Sequence, residues 1–121
     1  MQNIFLKRIY EPYEQSDGLR ILIDRLWPRG ISKEAANLDE WVKEAAPSSE
    51  LRKWFCHKPE LFEEFKAHYQ NELRTNPLQK KAVEQIIGEA REGRVTLLYG
   101  AKDPIYNHAV VLLDCIKKSI R

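Results

Sequence analysis

The sequence predicts an α/β fold: a single three-layer domain, residues 1–121, with a small, largely parallel central sheet of about three to four strands flanked by helices. Three observations carry this. Residues 19–23 (LRILI) and 94–99 (RVTLLY) are short, apolar and rich in β-branched residues, and read as strands buried on at least one face. Between them lie segments whose apolar residues recur every three or four positions, the mark of amphipathic helices. A connection made of helices joins neighbouring strands in parallel, with a right-handed crossover, so these two strands are expected to be parallel.

Composition narrows the class. A chain of 121 residues supports one core and is too short for two. It is 43% hydrophobic and 31% charged, as in ordinary soluble proteins. A net charge of +2 and a pI near 8.5 are too mild to mark a nucleic-acid binder. No apolar run approaches membrane-spanning length, and no signal peptide follows Met1. Cys56 and Cys115 fall in separate helices, so the expectation is a reduced, cytoplasmic protein. Repeats and low-complexity tracts are absent.

The elements follow in order. Asn3 to Ile9 (NIFLKRI) is a first strand, with Ile4, Leu6 and Ile9 facing inward. A polar loop, Glu11 to Gly18, ends in Asp17-Gly18, a strong turn signal. Its shortness favours an antiparallel pair with the next strand. That next strand runs from Leu19 and stops at Trp27-Pro28, because proline restricts both residues, and Gly30 permits the turn. Ser32 caps a short helix through Ala36, with Glu34 in its first turn. Asp39 to Ala46 fits either an edge strand or a helical turn. Ser48 caps a helix that places Leu51, Trp54 and Phe55 on one face, and Pro59 opens another with Phe62, Phe65, Tyr69 and Leu73 inward. Asn76-Pro77 ends that helix and begins the next, which Gly93 stops. After the 94–99 strand and a loop, Gly100 to Asn107, Asn107 caps a last, mostly apolar helix.

If the two central strands are neighbours, their carboxyl ends lie side by side. Asp24, Arg25 and Arg29 then face Lys102, Asp103, Asn107 and His108 across one crevice, the usual place for a ligand in an open α/β sheet. Arg25 and Arg29 present rigid guanidinium forks suited to phosphate or carboxylate. The helix start at Asn107 adds free N–H groups. Trp27 is a candidate ring-stacking residue, its ordinary alternative being a plug at the sheet edge. Tyr99 and Tyr10 end strands at the same edge and are candidate pocket walls. His108, in a helix first turn where the dipole disfavours its charged form, is the candidate general base, with Asp103 to orient its ring where the two are close, and Asp24 is a further catalytic candidate. For Asp24 the ordinary alternative is an ion pair that ties the turn together. Cys56, His57, His68, His108 and Cys115 show no metal-ligand spacing, and there is no glycine-rich phosphate loop or nucleophile elbow. No metal, cofactor or nucleophile is therefore expected.

Read together, KRIY at residues 7–10, DRLWPRGISKE from Asp24 to Glu34, LRKWF from Leu51 to Phe55, the His57-x-Pro59 pair, and LLYGAKD followed by Asn107-His108-Ala109 resemble the YeaO-like branch of the bacterial domain-of-unknown-function family 488. The resemblance spans nearly the whole chain. It implies a small three-layer α/β domain of the bacterial or archaeal cytoplasm and supplies no activity. Longer relatives keep the first two strands parallel, so the resemblance leaves the direction of the first strand open against the spacing. It also places Asn107 where longer relatives carry a cysteine and Ala109 where they carry an arginine, so thiol chemistry does not transfer. Cys56 stands where a glycine or small residue is expected.

The function these residues point to is binding of a small phosphate- or carboxylate-bearing anion at the carboxyl edge of the sheet, with acid–base hydrolysis open to His108. One alternative is a nucleic-acid-binding or regulatory module, since Arg52, Lys53, His57, Lys58, Lys66, Arg74, Lys80 and Lys81 make the helices basic. Interspersed Glu60, Glu63, Glu64, Glu72 and Glu84 make that face an ordinary solvated one. The other alternative is a protein-interaction domain, monomer or homodimer, using its aromatic helices and performing no catalysis.

Overall fold

The computed structural model describes residues 3–119. Four strands form one sheet in the order β1 (Ile4–Arg8), β4 (Val95–Tyr99), β2 (Leu19–Leu22) and β3 (Glu40–Trp41). Every pairing is parallel. β2 and β4 are neighbours, with Leu19 opposite Val95 and Leu22 opposite Leu98. The expected crossover joins them.

β1 and β2 form no antiparallel pair, because β4 lies between them and is parallel to both. The connection Ile9 to Gly18 instead returns across the face of β4. An extended chain spans about 3.3 Å per residue, so this short loop reaches back over a five-residue strand without a helix. It is fastened there. Thr96 Oγ1 donates to Asp17 O at 2.7 Å, and Lys7 Nζ donates to Glu14 and Asp17 at 2.9 and 3.1 Å.

The pleat sorts the strand residues onto two unequal layers. Ile4, Ile21, Ile23, Val95, Leu97 and Tyr99 face the thick layer. It holds α2 (Ser49–Phe55), α3 (Phe62–Thr75), α4 (Pro77–Glu92) and α5 (His108–Ser119). Their inward residues include Phe55, Phe65, Tyr69, Ile86 and Leu112. Leu22 and Leu98 face a thin layer of Ile9, Trp27, Ile31, Leu38, Trp41 and α1 (Lys33–Ala36).

The capping signals act as expected. Ser32, Ser48 and Asn76 accept backbone N–H groups of Ala35, Leu51 and Leu78, and Gly93 follows the end of α4. Pro59 opens a 3₁₀ turn that runs into α3. Asp39 to Ala46 proves to be both alternatives in turn, the edge strand β3 and then a 3₁₀ turn, Lys43–Ala45.

β3 is clipped to α4 by acids. Gln85 Nε2 donates to Glu40 Oε1 at 2.9 Å, and the Glu89 carboxyl adjoins that of Glu40. Burial and then the adjoining Glu40 carboxyl push Glu89 up from 4.5 to about 7. The folded state therefore holds a proton that the unfolded chain releases above pH 4.5. This contribution is favourable at low pH and is lost as pH rises toward 7. Glu89→Gln is expected to match the parent protein near pH 5 and to exceed it at pH 8 by up to about 1 kcal/mol, the pair being open enough for solvent to screen the rest. Urea unfolding at both pH values checks this. An equal effect at both would contradict the raised Glu89 carboxyl.

Candidate functional site

The chain leaves β2 at Ile23 and turns sharply. Trp41 Nε1 donates to Asp24 O at 2.6 Å, Tyr10 Oη to Arg29 O at 2.6 Å, and Trp27 Nε1 to Ile31 O at 2.8 Å. Gly30, at φ +76°, completes the turn. Beside it the chain leaves β4 through Gly100. Arg8 Nε fastens that exit by donating to Ala101 O at 2.9 Å. Asp24 Oδ2 joins the two exits by accepting the Gly100 N–H at 2.9 Å. A Cβ on Gly100 would stand 3.0 Å from that oxygen and 3.3 Å from Pro28, so the close approach depends on glycine.

Between these turns and α2 lies a cleft of about 680 Å³. Asp24, Arg25, Trp27, Arg29, Lys102, Asp103, Asn107 and His108 all line it, as does Tyr10. Tyr99 does not. It occupies the same pleat face as Val95 and Leu97, so its side chain lies buried in the helical layer, and burial raises its pKa.

The lining side chains divide into those already engaged and those free. Arg25 is engaged, with Nε donating to Pro47 O at 3.0 Å and Nη2 to Ala46 O at 3.1 Å, while Glu44 lies 3.8 Å from Nη1. Ala46 O also accepts Gln79 Nε2, and Tyr69 Oη donates to Ala45 O. Arg25 is thus one of three struts that hold the strip before α2. Asn107 is engaged as well. Its Oδ1 caps α5 through Val110 N–H at 3.0 Å, and its Nδ2 donates to Asp103 O at 2.7 Å. Asp103 Oδ1 accepts the N–H groups of Ile105 and Tyr106, and the Tyr106 and Ile105 amides hold its pKa below the usual range.

Asp24, rather than Asp103, is the carboxylate at the imidazole: Asp24 Oδ1 lies 3.2 Å from His108 Nε2. The hydrogen on Nε2 points to Ile23 O, at 3.0 Å. A carbonyl only accepts, so Nε2 carries a proton and any basic lone pair belongs to Nδ1.

The guanidinium of Arg29, the guanidinium of Arg52 and the ammonium of Lys102 have no hydrogen-bond or ion-pair partner among the described residues, and all three line the cleft. Arg52 and His57 were not singled out for this site from the sequence, where they merged with the general basicity of the helices. The available signal was spacing. Arg52 and Phe55 are three apart on one short helix whose start is fixed by Pro47-Ser48, so they share a face.

α2 ends in a strained turn. Cys56 and His57 adopt left-handed φ values of +46° and +56°, and His57 lines the cleft. Cys56 occupies the position after a helix where glycine is favoured. Cys56→Gly is expected to raise stability by about 0.5–1 kcal/mol, since only the non-glycine residue is penalised there. A lowered urea midpoint would contradict the strain.

A family model described as the inactive DUF488-N3 subclade matches residues 3–121. The chain belongs to this family. It is similar to uncharacterized protein YeaO of Escherichia coli K12, 48% identical over 115 residues, or 95% of this chain and 97% of the relative. It is also similar to uncharacterized protein Rv3073c of Mycobacterium tuberculosis H37Rv, 38% identical over 109 residues, or 90% and 89% of the two chains. Uncharacterized protein Mb3100c of Mycobacterium bovis gives the same figures. No solved structure matches. Among the described residues no cluster of three or more His, Cys, Asp or Glu could hold a metal, and no helix is long and apolar enough to cross a membrane.

Proposed function

We propose that this DUF488-N3 protein is a binding module for a small phosphate- or carboxylate-bearing anion, held in the cleft at the carboxyl edge of the sheet. The observation that carries this is the set of three unpartnered cations, Arg29, Arg52 and Lys102, around one cleft. The two acids there, Asp24 and Asp103, are each held by backbone N–H groups. Arg25 supports the wall, and Asn107 positions the start of α5 opposite the cations.

Several features favour binding over turnover. No serine, threonine or cysteine lines the cleft among the described residues. The one phenol there, Tyr10, donates to Arg29 O. The resemblance puts Asn107 and Ala109 in place of a cysteine and an arginine, and the family's own description is of an inactive subclade. Nδ1 of His108 then serves as a hydrogen-bond acceptor for the ligand.

Calorimetric titration with inorganic phosphate tests the proposal. A hydrogen bond to a charged group contributes about 1.5–3 kcal/mol. Arg29→Ala and Arg52→Ala are therefore each expected to weaken binding about tenfold or more, while Lys80→Ala on α4 leaves it unchanged. Binding that survives both arginine substitutions would contradict the assignment.

A further inference from the structure

The turn that carries Arg29 does not hold itself in place. Gly30 follows at φ +76°, and glycine adopts either sign of φ at similar cost, so the peptide between Arg29 and Gly30 needs an outside contact to select one orientation. Three side-chain donors reach carbonyls of this turn: Trp41 Nε1 at Asp24 O, Trp27 Nε1 at Ile31 O and Tyr10 Oη at Arg29 O. Of the three, the Tyr10 hydroxyl acts on the peptide of the residue that bears the free guanidinium. Tyr10 is itself fixed from both sides. Ile9 N–H donates to Tyr99 O, at the end of β4, at 2.9 Å. Arg8 N–H donates to Glu11 Oε2 at 2.7 Å and Glu11 N–H to Arg8 O at 3.0 Å, which closes the backbone around Tyr10 into a tight turn. The Arg8 guanidinium lies 4.9 Å from the centre of the Tyr10 ring, within cation–π range. The same guanidinium donates to Ala101 O, one residue before Lys102. The chain at the end of β1 thus ties together the two loops that bear Arg29 and Lys102.

We infer that Tyr10 is a positioning residue of the anion cleft: its hydroxyl, anchored at the end of β1, sets the peptide between Arg29 and Gly30 and so aims Arg29 at the ligand. This rests on the anion-site proposal and adds the residue that prepares one of its three cations. A turn already in its bound shape spares the ligand the cost of ordering it.

Tyr10→Phe is the test, because it removes the hydroxyl and keeps the ring on Arg8. Calorimetric titration with inorganic phosphate is expected to show binding weakened about three- to tenfold, the usual worth of one neutral hydrogen bond. In an Arg29→Ala background the same substitution should have no further effect, and in an Arg52→Ala background it should keep its full effect. The Gly30 amide of the ligand-free ¹⁵N-labelled protein should shift or broaden, since it belongs to the peptide that the hydroxyl holds. A loss of equal size in the Arg29→Ala background would overturn the inference, because the hydroxyl would then act on the ligand directly or on the fold as a whole. Unchanged phosphate affinity, or an unchanged Gly30 amide, would also overturn it and leave the anion site standing. Failure of phosphate to bind the parent protein at all would instead overturn the anion site itself.

Discussion

Arg20→Ala is expected to lower the free energy of unfolding by about 3–5 kcal/mol, the usual consequence of leaving a buried charge without its partner. Arg20 is 1% exposed, on the middle of β2. Its guanidinium donates to Asp17 Oδ2 at 2.5 Å, Ala36 O at 2.8 Å and Asn37 O at 3.0 Å. One side chain thus fastens the returning loop and the end of α1 to the thin face of the sheet. Burial opposes the charge on Asp17, yet the Glu14 amide, Lys7 and Arg20 together hold its carboxyl below the usual range. Without Arg20, the carbonyls of Ala36 and Asn37 lose their donor and Asp17 loses one of the groups that hold it charged. Arg20→Lys should recover only part of the loss, because an ammonium cannot span three acceptors arranged for a planar fork. Urea unfolding of both variants checks this, and a loss under about 1 kcal/mol for Arg20→Ala would show that the network is not needed.

Gly18→Ala is expected to cost about 3 kcal/mol or more. Gly18 has φ +69° and ψ −138°, a combination open only to glycine. A Cβ there would stand 2.4 Å from Arg94 O. That oxygen cannot withdraw freely, because it accepts Leu19 N–H at 2.9 Å at the first rung between β2 and β4. Conformational strain of about 1–3 kcal/mol and overpacking of similar size therefore add. The same urea measurement applies, and a change below about 1 kcal/mol would mean that the loop can shift without disturbing the ladder.

These two residues also mark where the sequence ceases to be legible. Apolar runs identify β2 and β4, and helices of ample length between them dictate parallel neighbours, so the crevice that joins Asp24 to His108 follows from local signals. Asp17-Gly18 announces a turn, but nothing local says that the loop passes over a third strand. That depends on where β4 inserts, a long-range fact. Arg20 in an otherwise apolar strand was the visible clue, since an arginine on a two-sided strand needs buried acceptors. At the site, residue types placed the cations at the right edge without telling a strut from a free group. Arg25 and Arg29 are equivalent on paper. Only the fold reveals that carbonyls of residues 46 and 47 occupy the first and leave the second open. Tyr99 was misplaced for a simpler reason: strand parity, counted from Val95 and Leu97, puts it in the core.

The most direct test of the anion cleft is an NMR titration of the ¹⁵N-labelled protein with inorganic phosphate. Binding in the cleft predicts that the largest shifts fall on the Nε groups of Arg29 and Arg52 and on the amides of Gly100 to Lys102 and His108 to Ala109, all saturating with one affinity. Changes confined to the exposed lysines of α4, or none at the arginine Nε groups, would contradict it.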